Sequence, residues 1–273
     1  MCIRAFVAVF VLVLFHRCTA DIGLARLIRP GSRIAIFLLV FIRSFVALAA
    51  LAASLQAQSV REPQPDARRL QLGADSLDVF IVRQHQQQRT GTVTDRLDTV
   101  RVNGEVRLQR VYRRVDLVLG NGLDTLVDRF PDLIPRSVHS WSDGGGSEVL
   151  AWRAGRVTGM VEPPGGAKRS IDTAAAPSLY SGASFDLVLR ASPLAEGYEV
   201  AALSYSGRQG ARTLTAKVVG SEVIAGFGDT WRVDADFAGR SVTFWIAKGS
   251  RRLIRQIIRA APGTEVLLMA RKN

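Results

Sequence analysis

Along residues 229–247 the chain alternates apolar and polar positions with a period of two. Trp231, Val233, Ala235 and Phe237 fall on one side, and Arg232, Asp234 and Asp236 on the other. After Ala238-Gly239-Arg240 the alternation resumes in Val242, Phe244 and Ile246, which predicts a half-buried hairpin with Trp245 on the opposite face. A second hairpin is predicted over residues 148–161, turning at Ala154-Gly155. Further short β-prone runs are separated by turn signals at Asn103-Gly104, Gly120-Asn121-Gly122 and the GRQG stretch 207–210. Residues 251–260, RRLIRQIIRA, are apolar on both faces; this fits a central strand or a helical turn, and periodicity does not decide between them. A short helix is predicted within SGASFDLVLRASPL, residues 181–194. Ser181 or Ser184 can cap it, Asp186 and Arg190 stand four residues apart, and Pro193 stops it. The expected fold is mainly β, a single curved antiparallel sheet or open β-barrel of about ten strands with one short helix near residues 183–190.

Ahead of this pattern stands an apolar leader. Residues 5–15 are unbroken but too short to span a bilayer, and a second stretch, Ile34 to Leu55, ends in Leu55-Gln56-Ala57-Gln58. Arg43, the apolar run Phe45 to Leu55 and the small-residue pattern at Ala57 make a signal peptide, which leaves the first 39 residues surplus to it. The alternative is an uncleaved membrane anchor over residues 34–55. Residues 58–75, polar with two prolines and no periodicity, are expected to be a disordered linker, and the β domain to occupy residues 76–273. Export would place the protein in the periplasm or otherwise outside the cytoplasm, with membrane contact only through the leader if that is retained.

Charge changes this picture little. The 273 residues carry 36 Lys+Arg and 24 Asp+Glu, a formal net charge of +12. Residues 1–57 hold six Arg and one Asp, so 30 basic and 23 acidic residues remain, a net +7. Arginine supplies 32 of the 36 basic residues. The clusters Arg107, Arg110, Arg113, Arg114 and Arg251, Arg252, Arg255, Arg259 are read as solvated strand faces, not as a nucleic-acid surface. With export, anionic lipid or an envelope polymer is the more plausible partner.

Candidate chemistry is sparse. Both cysteines, Cys2 and Cys18, lie in the leader, so the domain has no thiolate nucleophile and no cysteine metal ligand. His85 and His139 have no His or Cys at a ligand-like spacing, and neither a metal nor a cofactor is expected. No G-x-S-x-G elbow occurs, and residues 164–170, PGGAKRS, lack the Gly-Lys-Ser order of a phosphate loop. A Ser/His139/Asp143 arrangement has no support from spacing. Asp95, Asp98, Asp124, Asp128, Asp234 and Asp236 fall where polar strand faces are expected.

The stretches 184–203 and 218–256 resemble the DUF3108 family of exported bacterial proteins. The resemblance is carried by Asp186, Arg190, Pro193, Leu194 and Gly197, and then by Trp231, Val233, Trp245 and Lys248. It implies an exported single-domain protein on a strongly curved antiparallel sheet or barrel, and it brings no catalytic residues. At the level of fold alone, the half-barrel lipoprotein carriers of the envelope are a distant analogy.

These readings lead to a non-enzymatic envelope protein that holds a lipophilic ligand or an envelope protein segment in the concave face of its sheet. Asp186, Arg190 and Trp245 are the candidate binding residues. The alternatives are an envelope hydrolase using acidic residues or His139, and a structural protein–protein module.

Overall fold

The structure, a computed structural model, describes residues 61–237 and 239–272; the expected leader and the expected cleavage after Ala57 lie outside them. The first half of the domain is a meander of eight strands: β1 (Gly73–Arg83), β2 (Gln86–Val102), β3 (Glu105–Asp116), β4 (Gly122–Arg129), β5 (Pro135–Ser142), β6 (Gly146–Arg153), β7 (Arg156–Glu162) and β8 (Arg169–Ala174). After the two-residue β9 (Tyr180–Ser181) comes one helix, α1 (Phe185–Ala191). A second meander follows: β10 (Glu199–Ser206), β11 (Gly210–Ile224), β12 (Gly228–Phe237), β13 (Arg240–Ala247), β14 (Leu253–Ala261) and β15 (Thr264–Ala270).

All fifteen strands form one sheet, in which β1 pairs with β15 and so joins the two meanders, leaving β8 and β9 at the ends. Every pairing is antiparallel except β9 with β10. The sheet curls until its ends meet through side chains and loops. Tyr205 packs with Trp152, Val161, Ile171 and Leu179, and Arg169 Nη2 donates to the Gly207 carbonyl at 2.6 Å. This is the curved sheet or open barrel that the alternation predicts, with more strands than expected. One of the additional strands has a local cause. The β1–β2 turn is made by Gln84 and His85, at φ 48° and 65°, so it carries no glycine to mark it. Both predicted hairpins form, over β12–β13 and β6–β7.

Of residues 251–260, Arg251 and Arg252 belong to the preceding turn and the rest is strand. In β14, Leu253 joins the main core inside the sheet while Ile254 joins a small cluster on the convex side, because both faces of this strand are covered. The short helix also forms. The Ser181 hydroxyl accepts the Ala183 N–H at the start of a 3-10 turn, α1 follows, and Pro193 comes directly after the C-cap Ser192. Six of the seven residues of α1 are buried, which is the pattern of a helix enclosed on all sides. It lies inside the sheet, where Phe185, Leu187, Val188 and Leu189 each contribute roughly 1.5–3 kcal/mol by burial.

The expected disordered linker is corrected over residues 61–72. Arg61 bridges to Val200, Asp66 caps a 3-10 turn over Ala67–Arg69, and the Asp66 and Ala67 N–H groups donate to the carbonyls of Ala191 and Pro131. Ala67 and Leu70 are buried in the main core. Two prolines keep this segment from regular structure without keeping it from packing. Among the described residues no helix is long and apolar enough to cross a membrane.

Candidate functional site

Three inward-facing positions on adjacent strands interrupt an otherwise apolar wall. On β2, Asp95 sits between the buried Val93 and Leu97; on β3, Arg110 follows Leu108; on β4, Asp128 follows Leu126. Asp95, Arg110 and Asp128 are only 4%, 4% and 1% exposed. Their reading as solvated strand faces is therefore corrected. Antiparallel register places Leu97 opposite Arg110 and Arg110 opposite Leu126, so the three charged side chains share one patch of the concave face.

The helix supplies the counterpart. Arg110 grips two carboxylates with one guanidinium: Nε and Nη2 donate to Asp95 at 2.7 and 3.0 Å, and Nη1 and Nη2 donate to Asp186 at 2.7 and 2.9 Å. Arg190 donates from Nη1 to Asp95 at 3.2 Å and from Nε to the Arg251 carbonyl at 2.8 Å. The expected i,i+4 pair of Asp186 and Arg190 is present but loose, at 3.9 Å, and both residues make their shorter bonds to the sheet. Two arginines and two aspartates make a network of zero net charge, which is the condition for burying it. Its effect is positional, because it locks one face of α1 onto β2 and β3.

Electrostatics follow from burial and pairing. Desolvation opposes the Asp95 carboxylate, but Arg110 and Arg190 outweigh it and hold its pKa below the usual range. Burial likewise opposes the Arg110 charge and is overcome by Asp186 and Asp95. Asp128 has no such compensation. Burial pushes its pKa up to about 8, only partly opposed by Arg110, and its Oδ1 has no hydrogen-bond partner among the described residues. Burial also raises the Tyr112 phenol, whose ring lies 4.9 Å from the Arg110 guanidinium.

Above this network the barrel is hollow. A cavity of about 130 Å³ is lined by Arg110, Tyr112, Asp124, Asp186, Phe244 and neighbouring residues. It shares Gly182, Ala183, Phe237 and Gln256 with a larger hollow of about 400 Å³. Leu214, Phe237, Val242 and Ile258 form an apolar wall of the larger space, and Arg208, Arg212, Arg240 and Glu148 also line it. The three arginines are exposed, whereas Glu148 is 6% exposed. Burial raises the Glu148 pKa, and its Oε2 has no hydrogen-bond partner among the described residues.

Of the candidate binding residues, Asp186 and Arg190 stand in the ion network, Asp186 also lines the smaller cavity while the buried Arg190 lines neither hollow, and Trp245 lies away from both. Trp245 sits on the convex side with Ile224, Ala247 and Ile254. Its Nε1 donates to Glu222 at 2.6 Å, and Arg255 stacks 4.9 Å from its ring. It falls outside because Phe244, its neighbour, points inward and successive strand residues face opposite sides. His139 is exposed on the convex face of β5, opposite Thr125 and Val149, and Asp143 accepts the Asn121 N–H instead. The overlooked residues, Asp95, Arg110 and Asp128, did leave a signal: each is a charged residue at an apolar-phase position of its strand.

Fold and site together define an open antiparallel barrel, plugged at one end by its own helix over a neutral ion network and hollow at the other. The chain belongs to the family described as protein of unknown function DUF3108, which it matches over residues 82–269. No curated protein matches it. Among solved structures it is similar to the β-barrel-like protein of domain of unknown function DUF1849 from Brucella abortus. Identity is 8% over 74% of this chain and 98% of that one, with a TM-score of 0.43.

Proposed function

We propose that this is an exported, non-enzymatic envelope protein that holds an amphiphile with an anionic head in the open end of its barrel. One observation carries the reading: a hollow of about 400 Å³ combines an apolar wall, Leu214, Phe237, Val242 and Ile258, with Arg208, Arg212 and Arg240. That volume is within the range of small-ligand sites. The apolar wall suits a hydrocarbon segment. The arginines suit a phosphate or carboxylate, which guanidinium binds in bidentate fashion. The lower half of the barrel is filled by α1 and the core, which limits the ligand to a short or partly exposed chain.

The test is to recover the protein from its own envelope and analyse the extracted amphiphiles by mass spectrometry. A co-purifying anionic amphiphile is expected, reduced about tenfold or more in Arg212→Glu/Arg240→Glu. Absence of any bound amphiphile overturns the proposal. So does turnover in an esterase and glycosidase screen that disappears in His139→Ala.

A further inference from the structure

The antiparallel register puts the β1–β2, β3–β4, β5–β6, β7–β8, β10–β11 and β14–β15 turns at one end of the barrel. The hollow opens at this end, because Arg208 and Gln209 of the β10–β11 turn and Arg240 at the start of β13 line it. The rim from β3 to β7 is unusually apolar on its outer side. Val115, Leu117, Val118, Leu123, Trp141 and Met160 are all exposed there, each within three residues of the rim end of its strand or in the β3–β4 loop. Leu123 and Trp141 are direct cross-strand partners.

Leu117 is 94% exposed on a loop that is firmly tied. Asp116 Oδ1 accepts the N–H groups of Val118 and Leu119 at 2.8 and 2.6 Å, and Asp116 Oδ2 accepts the Thr90 hydroxyl at 2.7 Å. The Leu117 N–H donates to the Thr90 carbonyl, and Arg114 donates to the carbonyls of Leu119 and Gly120. Leu119 turns inward against the core while Leu117 and Val118 point out. A loop fixed by so many bonds cannot fold its apolar tip away from water. The exposed side chains are therefore presented to something outside the barrel.

We infer that this rim docks on an anionic lipid bilayer. Charge favours that occupant over a protein groove. Arg83, Arg113 and Arg208, all on the same end of the barrel, are exposed, and no carboxylate lies within 4 Å of their side-chain nitrogens among the described residues. An apolar tip, a tryptophan at the margin and unpaired arginines are the elements of interfacial binding: the tip enters the acyl boundary, the indole sits at headgroup level, and the arginines meet lipid phosphate. The docked rim would bring the mouth of the hollow against the bilayer. The docking surface rests on exposure and charge alone, so it does not require the amphiphile proposed above.

The full chain is mixed with phosphatidylethanolamine–phosphatidylglycerol vesicles whose acyl chains are plain or brominated, and tryptophan fluorescence is read. No tryptophan lies in residues 1–57, so a leader inserted in the membrane gives no signal of its own. Brominated lipid is expected to quench the parent, and Trp141→Phe is expected to remove the quenched component. Leu117→Asp/Val118→Asp should weaken the vesicle dependence of quenching about tenfold or more while leaving the far-ultraviolet β signal intact. Absence of quenching in the parent overturns the inference, as does equal quenching in Trp141→Phe. Lipid-free, concentration-dependent self-association that Leu117→Asp/Val118→Asp abolishes would assign the patch to a second copy and also overturn it.

Discussion

Asp128 is the place where burial and charge conflict most openly, and replacing it by asparagine tests the conflict directly. The carboxyl is 1% exposed and titrates near 8, about four units above its ordinary value. At about 1.4 kcal/mol per unit this corresponds to roughly 6 kcal/mol, which relaxation and water entry reduce to about 2–4 kcal/mol. In the unfolded chain the group ionises near pH 4, whereas in the folded chain it keeps its proton to about pH 8. Between those values the folded state holds the extra proton, so the parent loses stability as pH rises, and above about pH 8 the loss is complete. The asparagine side chain is neutral throughout and nearly isosteric. Urea unfolding followed by tryptophan fluorescence should therefore give parent and Asp128→Asn within about 1 kcal/mol of each other at pH 5. At pH 9 the variant should be more stable by about 2–4 kcal/mol. Parallel pH profiles for the two chains would show that Asp128 is ionised in the fold, and the reasoning would fail.

Other expectations follow from the same network and its surroundings. Arg110→Met leaves Asp95 and Asp186 buried without the guanidinium that joins them, so a loss of about 3–5 kcal/mol in urea unfolding is expected; a loss under about 1 kcal/mol would mean the network is solvated. Asp95 has a lowered pKa, so its contribution is present above about pH 4 and disappears as pH falls through the folded value. Asp95→Asn should accordingly flatten the acid limb of the stability profile. Gln84→Asn/His85→Gly places better positive-φ residues in the β1–β2 turn and should raise the melting temperature by about 2–4 °C, for about 1 kcal/mol; an unchanged or lower value would count against strain in this turn. Trp245→Phe loses the bond to Glu222 and should cost about 1–2 kcal/mol while leaving the amphiphile content unchanged. A drop in bound amphiphile would return Trp245 to the site.

Much of the fold is legible because strand and turn information is local. Alternation in Trp231 to Phe237 and in Val242 to Ile246, the turn at Ala154-Gly155, and the Ser181 cap with Pro193 all act within a few residues, and the corresponding elements form where expected. The boundary between β1 and β2 was harder to read because Gln84 and His85 turn the chain without a glycine. The segment 61–72 was misread because its proline-rich composition says nothing about Ala67 and Leu70 reaching a core built from later residues. At the site, Asp186 and Arg190 were visible as a helical pair. Their main partners, however, come from strands 76 to 95 positions away along the chain.

Local pattern was enough to specify a mainly β domain with one short helix, since backbone periodicity and capping depend on near neighbours. Which strand face is concave came only from the assembled sheet, because a period of two defines two faces and does not say which curls inward. The curl put Trp245 outside and Asp95, Arg110 and Asp128 inside. It also left the first two of those buried charges compensated and the third not, because the energy of a buried charge depends on what stands across from it. That partner is set by the β1–β15 closure and the seating of α1, contacts between residues far apart in the chain.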